Sequence, residues 1–75
     1  MNIINFSSED FLEDVKYQIK IKYKNQNNYA RKLNYSRKAL NRVLNSGDEI
    51  SIWWIKVFCD NFDIKVEDYI YPRVM

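Results

Sequence analysis

The chain contains a single glycine, Gly47, and a single proline, Pro72, in 75 residues. So few chain-breaking residues leave little scope for the tight turns that join the strands of a β-sheet. Apolar residues make up 47% of the chain and aromatic residues 16%, which is enough to form a buried core. We therefore expect one all-α domain over residues 1–75, built from helices with short connections.

Apolar side chains recur at helical spacing in five segments. The first follows Ser7 and Ser8, which are typical helix caps, and runs to about Lys24. Asn25 caps the second segment, and Asn34-Tyr35-Ser36 forms a turn into the third, which ends near Asn45. Helices four and five are predicted at about 51–71, the fourth starting at Ser51 and the fifth stopping before Pro72. The core stripe predicted for helix four consists of Ile52, Ile55, Phe58, Cys59 and Phe62.

The charges are segregated along the sequence, although the net charge is only +2. No Asp or Glu occurs between Val15 and Gly47, and all ten acidic residues lie outside that stretch. One face of such a domain would suit a polyanion and another would repel it. An uneven charged surface without function is the alternative, and the pattern does not separate DNA from RNA or an acidic protein. The nine basic residues of the stretch are Lys16, Lys20, Lys22, Lys24, Arg31, Lys32, Arg37, Lys38 and Arg42.

The third predicted helix divides completely into two faces. With residues about 100° apart, Ala39, Leu40, Val43 and Leu44 fall on one side. The other side carries only Arg, Lys and Asn, whose donors and reach suit base edges and phosphates. An ordinary surface helix usually includes Glu or Asp as well. The residues of the polar side are Arg37, Lys38, Asn41, Arg42 and Asn45.

Several functional classes find no support in the residue types. The chain has no His and a single cysteine, Cys59, so a metal site of the Cys/His type and an internal disulfide are excluded. There is no catalytic triad or phosphate-binding loop, and we expect no enzyme activity, cofactor or small-molecule substrate. The sequence shows neither a secretory signal nor a stretch of about 18 apolar residues, which predicts a cytoplasmic protein that does not enter the membrane. Membrane-surface binding by the basic first helix is an alternative.

The segment from Gln26 to Asn45 resembles the helix-turn-helix of the Cro and phage-repressor (XRE-type) family. It reads QNNYARKLNYSRKALNRVLN, and Ser51-Ile52 and residues 62–70 resemble the fourth and fifth helices of that family. Three positions depart from its pattern: Asn34 replaces a turn glycine, Tyr35 replaces a small apolar residue, and Ser46 is an insertion. The positions that match in residue type are Gln26, Ala30, Leu33, Ser36 and Asn45, with Leu40 and Val43 at apolar positions.

The resemblance implies a compact five-helix bundle of the lambda-repressor-like class, with the helix-turn-helix at about 25–45. It implies a transcriptional regulator in a bacterial host cell that reads duplex DNA, with the third helix in the major groove. The loop after that helix often meets phosphate in the family, and Asp48 and Glu49 would weaken such contact. The implied base-contacting residues are Arg37, Lys38, Asn41 and Arg42; the implied phosphate-contacting residues are Gln26, Asn45 and Lys24.

A protein partner is the remaining expectation. Trp53 and Val57 lie off the core stripe of helix four and would form an apolar patch for a second copy or for a phage repressor protein. The tail from Tyr69 to Met75 is another candidate interface, and Trp53 would alternatively be half buried under residues 1–6. Because small phage proteins of this fold include modulators that bind a repressor, an antirepressor with weak DNA contact is the alternative function.

Overall fold

The computed structural model describes residues 5–71 and the side chains of residues 6–70. Within that range the chain is mainly helical, as its shortage of glycine and proline predicts. Four α-helices are joined by short connections, and the connection between α3 and α4 contains a 3₁₀ turn. A second 3₁₀ turn follows α4, and two strands of two residues each flank the helical region. The α-helices are α1 (Ser8–Tyr23), α2 (Gln26–Leu33), α3 (Arg37–Leu44) and α4 (Ile52–Phe62); the 3₁₀ turns are Gly47–Glu49 and Val66–Tyr69; the strands are β1 (Asn5–Phe6) and β2 (Ile70–Tyr71).

The predicted fifth helix is a single short 3₁₀ turn and not an α-helix. Residues Val66–Tyr69 form a 3₁₀ turn, and the chain then extends into β2, which pairs antiparallel with β1. The backbone N–H of Ser7 donates to the carbonyl oxygen of Tyr69 at 2.7 Å. The Phe6 ring also lies 6.5 Å from the Tyr69 ring. Within the 3₁₀ turn the backbone N–H of Ile70 donates to the carbonyl oxygen of Glu67, and helical bonding ends there because the following residues pair with the chain preceding α1. The predicted stop at Pro72 lies outside the described residues.

Three of the predicted helix caps are present. The side chains of Asn25, Ser36 and Ser51 accept hydrogen bonds from backbone N–H groups three residues later, at 2.8, 3.1 and 3.3 Å. Asn34 adopts the predicted left-handed conformation, with φ of 62°. The predicted hydroxyl cap of α1 is absent, because α1 begins after Ser7 without a capping bond from that side chain.

α1 is the central element of the fold and packs against α2, α3 and α4. Phe11, Val15 and Ile19, which recur every four residues along this helix, are buried. On α3 the buried residues are Leu40 and Leu44, as the helical spacing predicts. The core of the described residues consists of Phe11, Leu12, Val15, Ile19, Tyr29, Ala30, Leu40, Leu44, Phe58 and Phe62.

The core stripe predicted for α4 is wrong at its first turn. Ile52 is 75% exposed, and Cys59 is only half-buried. Trp54 instead packs against the core, with its ring 5.3 Å from that of Phe58. The side of α4 that contacts the core is therefore rotated toward Trp54. The large indole of Trp54 fills the space beside the Asn34–Ser36 turn, and its ring lies 5.2 Å from the Tyr35 ring.

None of the helices in residues 5–71 combines the length and the apolar character that crossing a membrane requires.

Candidate nucleic-acid interface

The connection between α2 and α3 is short and closely defined by backbone hydrogen bonds. The left-handed Asn34 turns its N–H toward the carbonyl groups at the end of α2, and the N–H of Tyr35 donates to the carbonyl oxygen of Ala30 at 2.9 Å. Ser36 then caps α3. These bonds satisfy some of the backbone groups that the two helix ends leave unpaired, and α2 packs against α3.

The exposed side of α3 is the polar side that the sequence predicts. Leu40 and Leu44 face the core, while Ala39 and Val43 are half-buried. No carboxylate lies on α3, so its outward charge is entirely positive. The exposed side chains are Arg37, Lys38, Asn41, Arg42 and, at the end of the helix, Asn45.

Side-chain amides connect α3 to the start of α2 and to α1. The Asn41 Nδ2 donates to Gln26 Oε1 at 3.2 Å. The Asn45 Nδ2 donates to the Asn41 carbonyl oxygen at 2.9 Å and lies 3.3 Å from Asn41 Oδ1. Lys16 Nζ, on α1, donates to Asn45 Oδ1 at 3.3 Å. The structure therefore brings Gln26, Asn41 and Asn45 together and adds a lysine to them.

A surface hollow of about 340 Å³ lies where α1, α2 and α3 meet. Lys16, Lys20 and Lys24 from the second half of α1 and its C-cap line this hollow together with Arg37. Gln26 and Asn41 also line it, so the predicted residues Lys24, Gln26, Arg37 and Asn41 share one site. We define the basic surface as the following set of residues: Lys16, Lys20, Lys24, Gln26, Arg37, Lys38, Asn41, Arg42 and Asn45.

Lys16 and Lys20 are functional candidates that sequence reasoning missed. The sequence places both in the basic stretch, and with Lys24 they recur every four residues, which is one side of a helix. That spacing shows that the three lysines share a side, but not that this side borders α3. Only the packing of α1 against α3 shows that this side of α1 borders α3.

The acidic loop after α3 is held at the far end of α1. Ser8 Oγ donates to Asp48 Oδ1 at 2.5 Å, which places this carboxylate at the N-terminus of α1. Ser8 and Lys16 are eight residues apart, or about 12 Å along the helix axis. The positive end of the helix dipole offsets the charge of Asp48. This bond, which the sequence did not predict, separates Asp48 from the lysines of α1.

No model of a known protein family, no curated protein and no solved structure matches the chain. The chemistry of the basic surface is therefore the main ground for a functional interpretation.

A second feature of the surface is an apolar groove along α4. Trp53 is 53% exposed, and Val57 is half-buried. Both line a groove of about 1000 Å³ together with Ile52, Ile64 and Val66. We call this the α4 groove.

Trp53 is therefore a surface residue, as its position off the core stripe predicts. Its ring lies 4.9 Å from Trp54 and 6.1 Å from Tyr35, so it belongs to an aromatic cluster beside the α2–α3 turn. In the alternative prediction residues 1–6 cover Trp53. Residues 1–4 lie outside the described residues, and Phe6 lines the groove but leaves the indole half exposed.

The Cys59 thiol also borders the α4 groove. Burial, assisted by the neighbouring charges of Asp60 and Glu67, raises the pKa of this thiol. It therefore stays protonated at neutral pH, the less nucleophilic form of cysteine. Within the part of the chain that the structure describes, no cluster of three or more His, Cys, Asp or Glu residues could hold a metal ion.

Proposed function

We propose that the protein is a sequence-specific duplex-DNA-binding transcriptional regulator, with α2 and α3 as a helix-turn-helix. The observation that carries this proposal is the continuity of the exposed side of α3 with the lysines of α1. Together they form a surface of cations and amides without a carboxylate, which is the composition that phosphates and base edges require. The resemblance to the Cro and phage-repressor family supports the same function, and a bacterial cytoplasm is the corresponding location.

In the proposed complex α3 lies in the major groove of B-form DNA. Arg37, Lys38 and Arg42 donate to the O6 and N7 acceptors of guanine, because their side chains are exposed and long enough to reach a base edge. Asn41 is suited to adenine, and its amide is already oriented by Gln26 and Asn45. An oriented amide loses less side-chain freedom when it binds.

The phosphate contacts come from the edge of the same surface. Gln26 at the start of α2 and Lys24 at the end of α1 both line the hollow beside Arg37. Asn45 is partly used as a cap, because its Nδ2 donates to the Asn41 carbonyl oxygen. Lys16, which donates to Asn45 Oδ1, is therefore included with Asn45 as a phosphate contact, and Lys20 is included with Lys24.

Titration of a fluorescent duplex with the protein at several salt concentrations tests this proposal. Each phosphate that the protein neutralises adds about −0.9 to the slope of log K against log salt. Lys20→Ala and Lys24→Ala should each weaken binding to all sequences and flatten the slope by about that amount. Lys56→Ala, which removes an exposed cation of α4, is the matched control and should change neither quantity. If the wild-type protein does not bind duplex DNA even at low salt, the proposal is wrong.

The second candidate function is a modulator, or antirepressor, that binds a phage repressor protein. The observation that favours it is the α4 groove, in which Trp53 and Val57 are accessible to an apolar segment of a partner. A mobility-shift experiment on a labelled promoter fragment, with and without the cognate repressor, separates the two functions. A regulator shifts the fragment by itself, whereas a modulator changes only the shift caused by the repressor. Under the modulator function Trp53→Ala abolishes the effect and Arg37→Ala does not.

A further inference from the structure

The outward side of α1 has two large apolar side chains that the fold does not use. α1 packs on the other helices through the side that carries Phe11, Val15 and Ile19. On the opposite side Tyr17 is 62% exposed and Ile21, one turn later, is 58% exposed. The charged residues on the same side are exposed as well. We call this side the α1 outer face, formed by Asp10, Glu13, Asp14, Tyr17, Lys20 and Ile21, with Lys24 at the C-cap just beyond the helix.

The charges of the α1 outer face are arranged symmetrically about Tyr17, with opposite signs on its two sides. Asp14 precedes Tyr17 by three residues and Lys20 follows it by three. Asp10 and Lys24 stand at seven residues on either side. Three residues correspond to about 4.5 Å along a helix. An antiparallel second α1 with Tyr17 opposite Tyr17 therefore places each Asp14 level with Lys20 of the second copy.

The helix dipole accounts for part of this pattern. Acidic residues near the N-terminus of α1 and basic residues near its C-terminus stabilise the helix by themselves. The dipole does not account for Tyr17 and Ile21, which are exposed between the two charged ends. A partner that covers them must also meet three carboxylates at one end and two ammonium groups at the other.

We propose that the α1 outer face is a self-association surface on which two copies of the chain pack antiparallel about Tyr17. A second copy meets both requirements, because it presents lysines where this copy has carboxylates and the reverse. The two Tyr17 rings lie at the centre, and each Ile21 covers the aliphatic part of Glu13 of the second copy. A partner of one charge sign would instead face like charges at one end.

The charges available for these pairs form no ion pair within the described part of one copy; Lys20 and Lys24 are also the proposed phosphate contacts, so a second copy and DNA compete for them. Within residues 5–71 the side chains of Asp10, Glu13, Lys20 and Lys24 form no ion pair. Tyr69 donates its hydroxyl hydrogen to Asp14 Oδ2, and Asp14 Oδ1 has no donor in the same part of the chain. Asp14 therefore accepts from Tyr69 and from a lysine of the second copy at the same time, through different oxygens.

Sedimentation equilibrium of the full chain, without DNA, tests this proposal independently of the proposed function. We expect a reversible dimer that weakens as salt increases, since exposed ion pairs are screened. Tyr17→Glu places two like charges together on the symmetry axis and should weaken the dimer by about tenfold or more. Ile52→Glu is the matched control, because it introduces the same charge on α4 at a side chain that is more exposed than Tyr17. It should leave the dimer intact.

A charge exchange gives a positive test. Asp14→Lys and Lys20→Asp should each prevent self-association, because like charges then face each other across the pair. An equimolar mixture of the two variants should restore a dimer, since every pair in the mixed species is attractive. If either variant does not fold, Asp10→Lys and Lys24→Asp make the same exchange. The proposal is overturned if the wild-type chain stays monomeric or if the mixture of the two variants stays monomeric. It is also overturned if Tyr17→Glu leaves the dimer intact or if Ile52→Glu abolishes it.

Discussion

Asn41 on α3 donates a side-chain hydrogen bond to Gln26 at the start of α2, with 3.2 Å between Nδ2 and Oε1. If both amides contact DNA together, their substitutions should not be additive. We expect Gln26→Ala and Asn41→Ala each to lower DNA affinity, and the double variant to lose less than the sum, with a coupling of about 0.5–3 kcal/mol. Anisotropy titrations of the four proteins with one duplex measure this. Strictly additive losses would show that the amides act separately.

The Tyr35 ring, in the turn between α2 and α3, packs on the rings of Trp53 and Trp54. Loss of these contacts in Tyr35→Ala should destabilise the fold by about 1 kcal/mol, a typical value for aromatic pairs. Tyr17→Ala is the control, because Tyr17 is also exposed but has no ring partner within residues 5–71. Thermal melting at a low protein concentration compares them. Equal melting temperatures would mean that the Tyr35 ring does not support the α2–α3 turn.

The two adjacent tryptophans should differ in their importance for stability. Trp53 is half exposed, so Trp53→Ala should cost about 1 kcal/mol or less. Trp54 packs against the core beside Phe58, and Trp54→Ala should cost about 3–5 kcal/mol. Urea unfolding of both variants measures the difference. The reverse order would place Trp53 in the core and remove it from any interface.

Stability at high pH should depend on Tyr29. Burial raises the pKa of its hydroxyl to about 12, against an ordinary value of 10, although the bond from Asn61 acts in the opposite direction. The folded state therefore holds the proton more tightly than the unfolded state. The resulting stabilisation is complete below pH 10 and decreases as pH rises from 10 toward 12.

Urea unfolding of the wild type and of Tyr29→Phe between pH 9 and 11 measures this effect. The variant loses the bond from Asn61 but has no hydroxyl to titrate at this position. Stability should therefore decrease more steeply with pH in the wild type. Parallel curves for the two proteins would show that Tyr29 ionises equally easily in the folded and unfolded states.

Local sequence patterns were sufficient for the four α-helices, because each depends on residues close together in the chain. The caps at Asn25, Ser36 and Ser51 and the buried side of α3 follow from spacing and side-chain type. Long-range contacts produced the errors. Val66–Tyr69 is not an α-helix, because the following strand pairs with a segment some sixty residues earlier.

The same distinction between local patterns and long-range contacts applies to the candidate site. The exposed residues of α3 were evident from helical spacing, whereas the contribution of Lys16 and Lys20 depends on how α1 packs against α3. The bond from Ser8 to Asp48 joins residues forty positions apart and has no local signature in the sequence. The rotation of α4 toward Trp54 depends on the shape of the space beside Tyr35, which hydrophobic spacing does not specify.

The central claim is that α3 reads DNA bases, and selection of bound sequences from a randomised duplex pool tests it most directly. Arg37→Ala and Arg42→Ala remove exposed side chains and should shift stability by less than about 0.5 kcal/mol. The wild-type protein should enrich a defined sequence. Each variant should lose preference at one or two base pairs of it, with about 1–3 kcal/mol of affinity lost for each bidentate contact. Lys56→Ala should select the wild-type sequence. No enrichment by the wild type, or the same enriched sequence in all four proteins, would contradict the claim that α3 reads the bases.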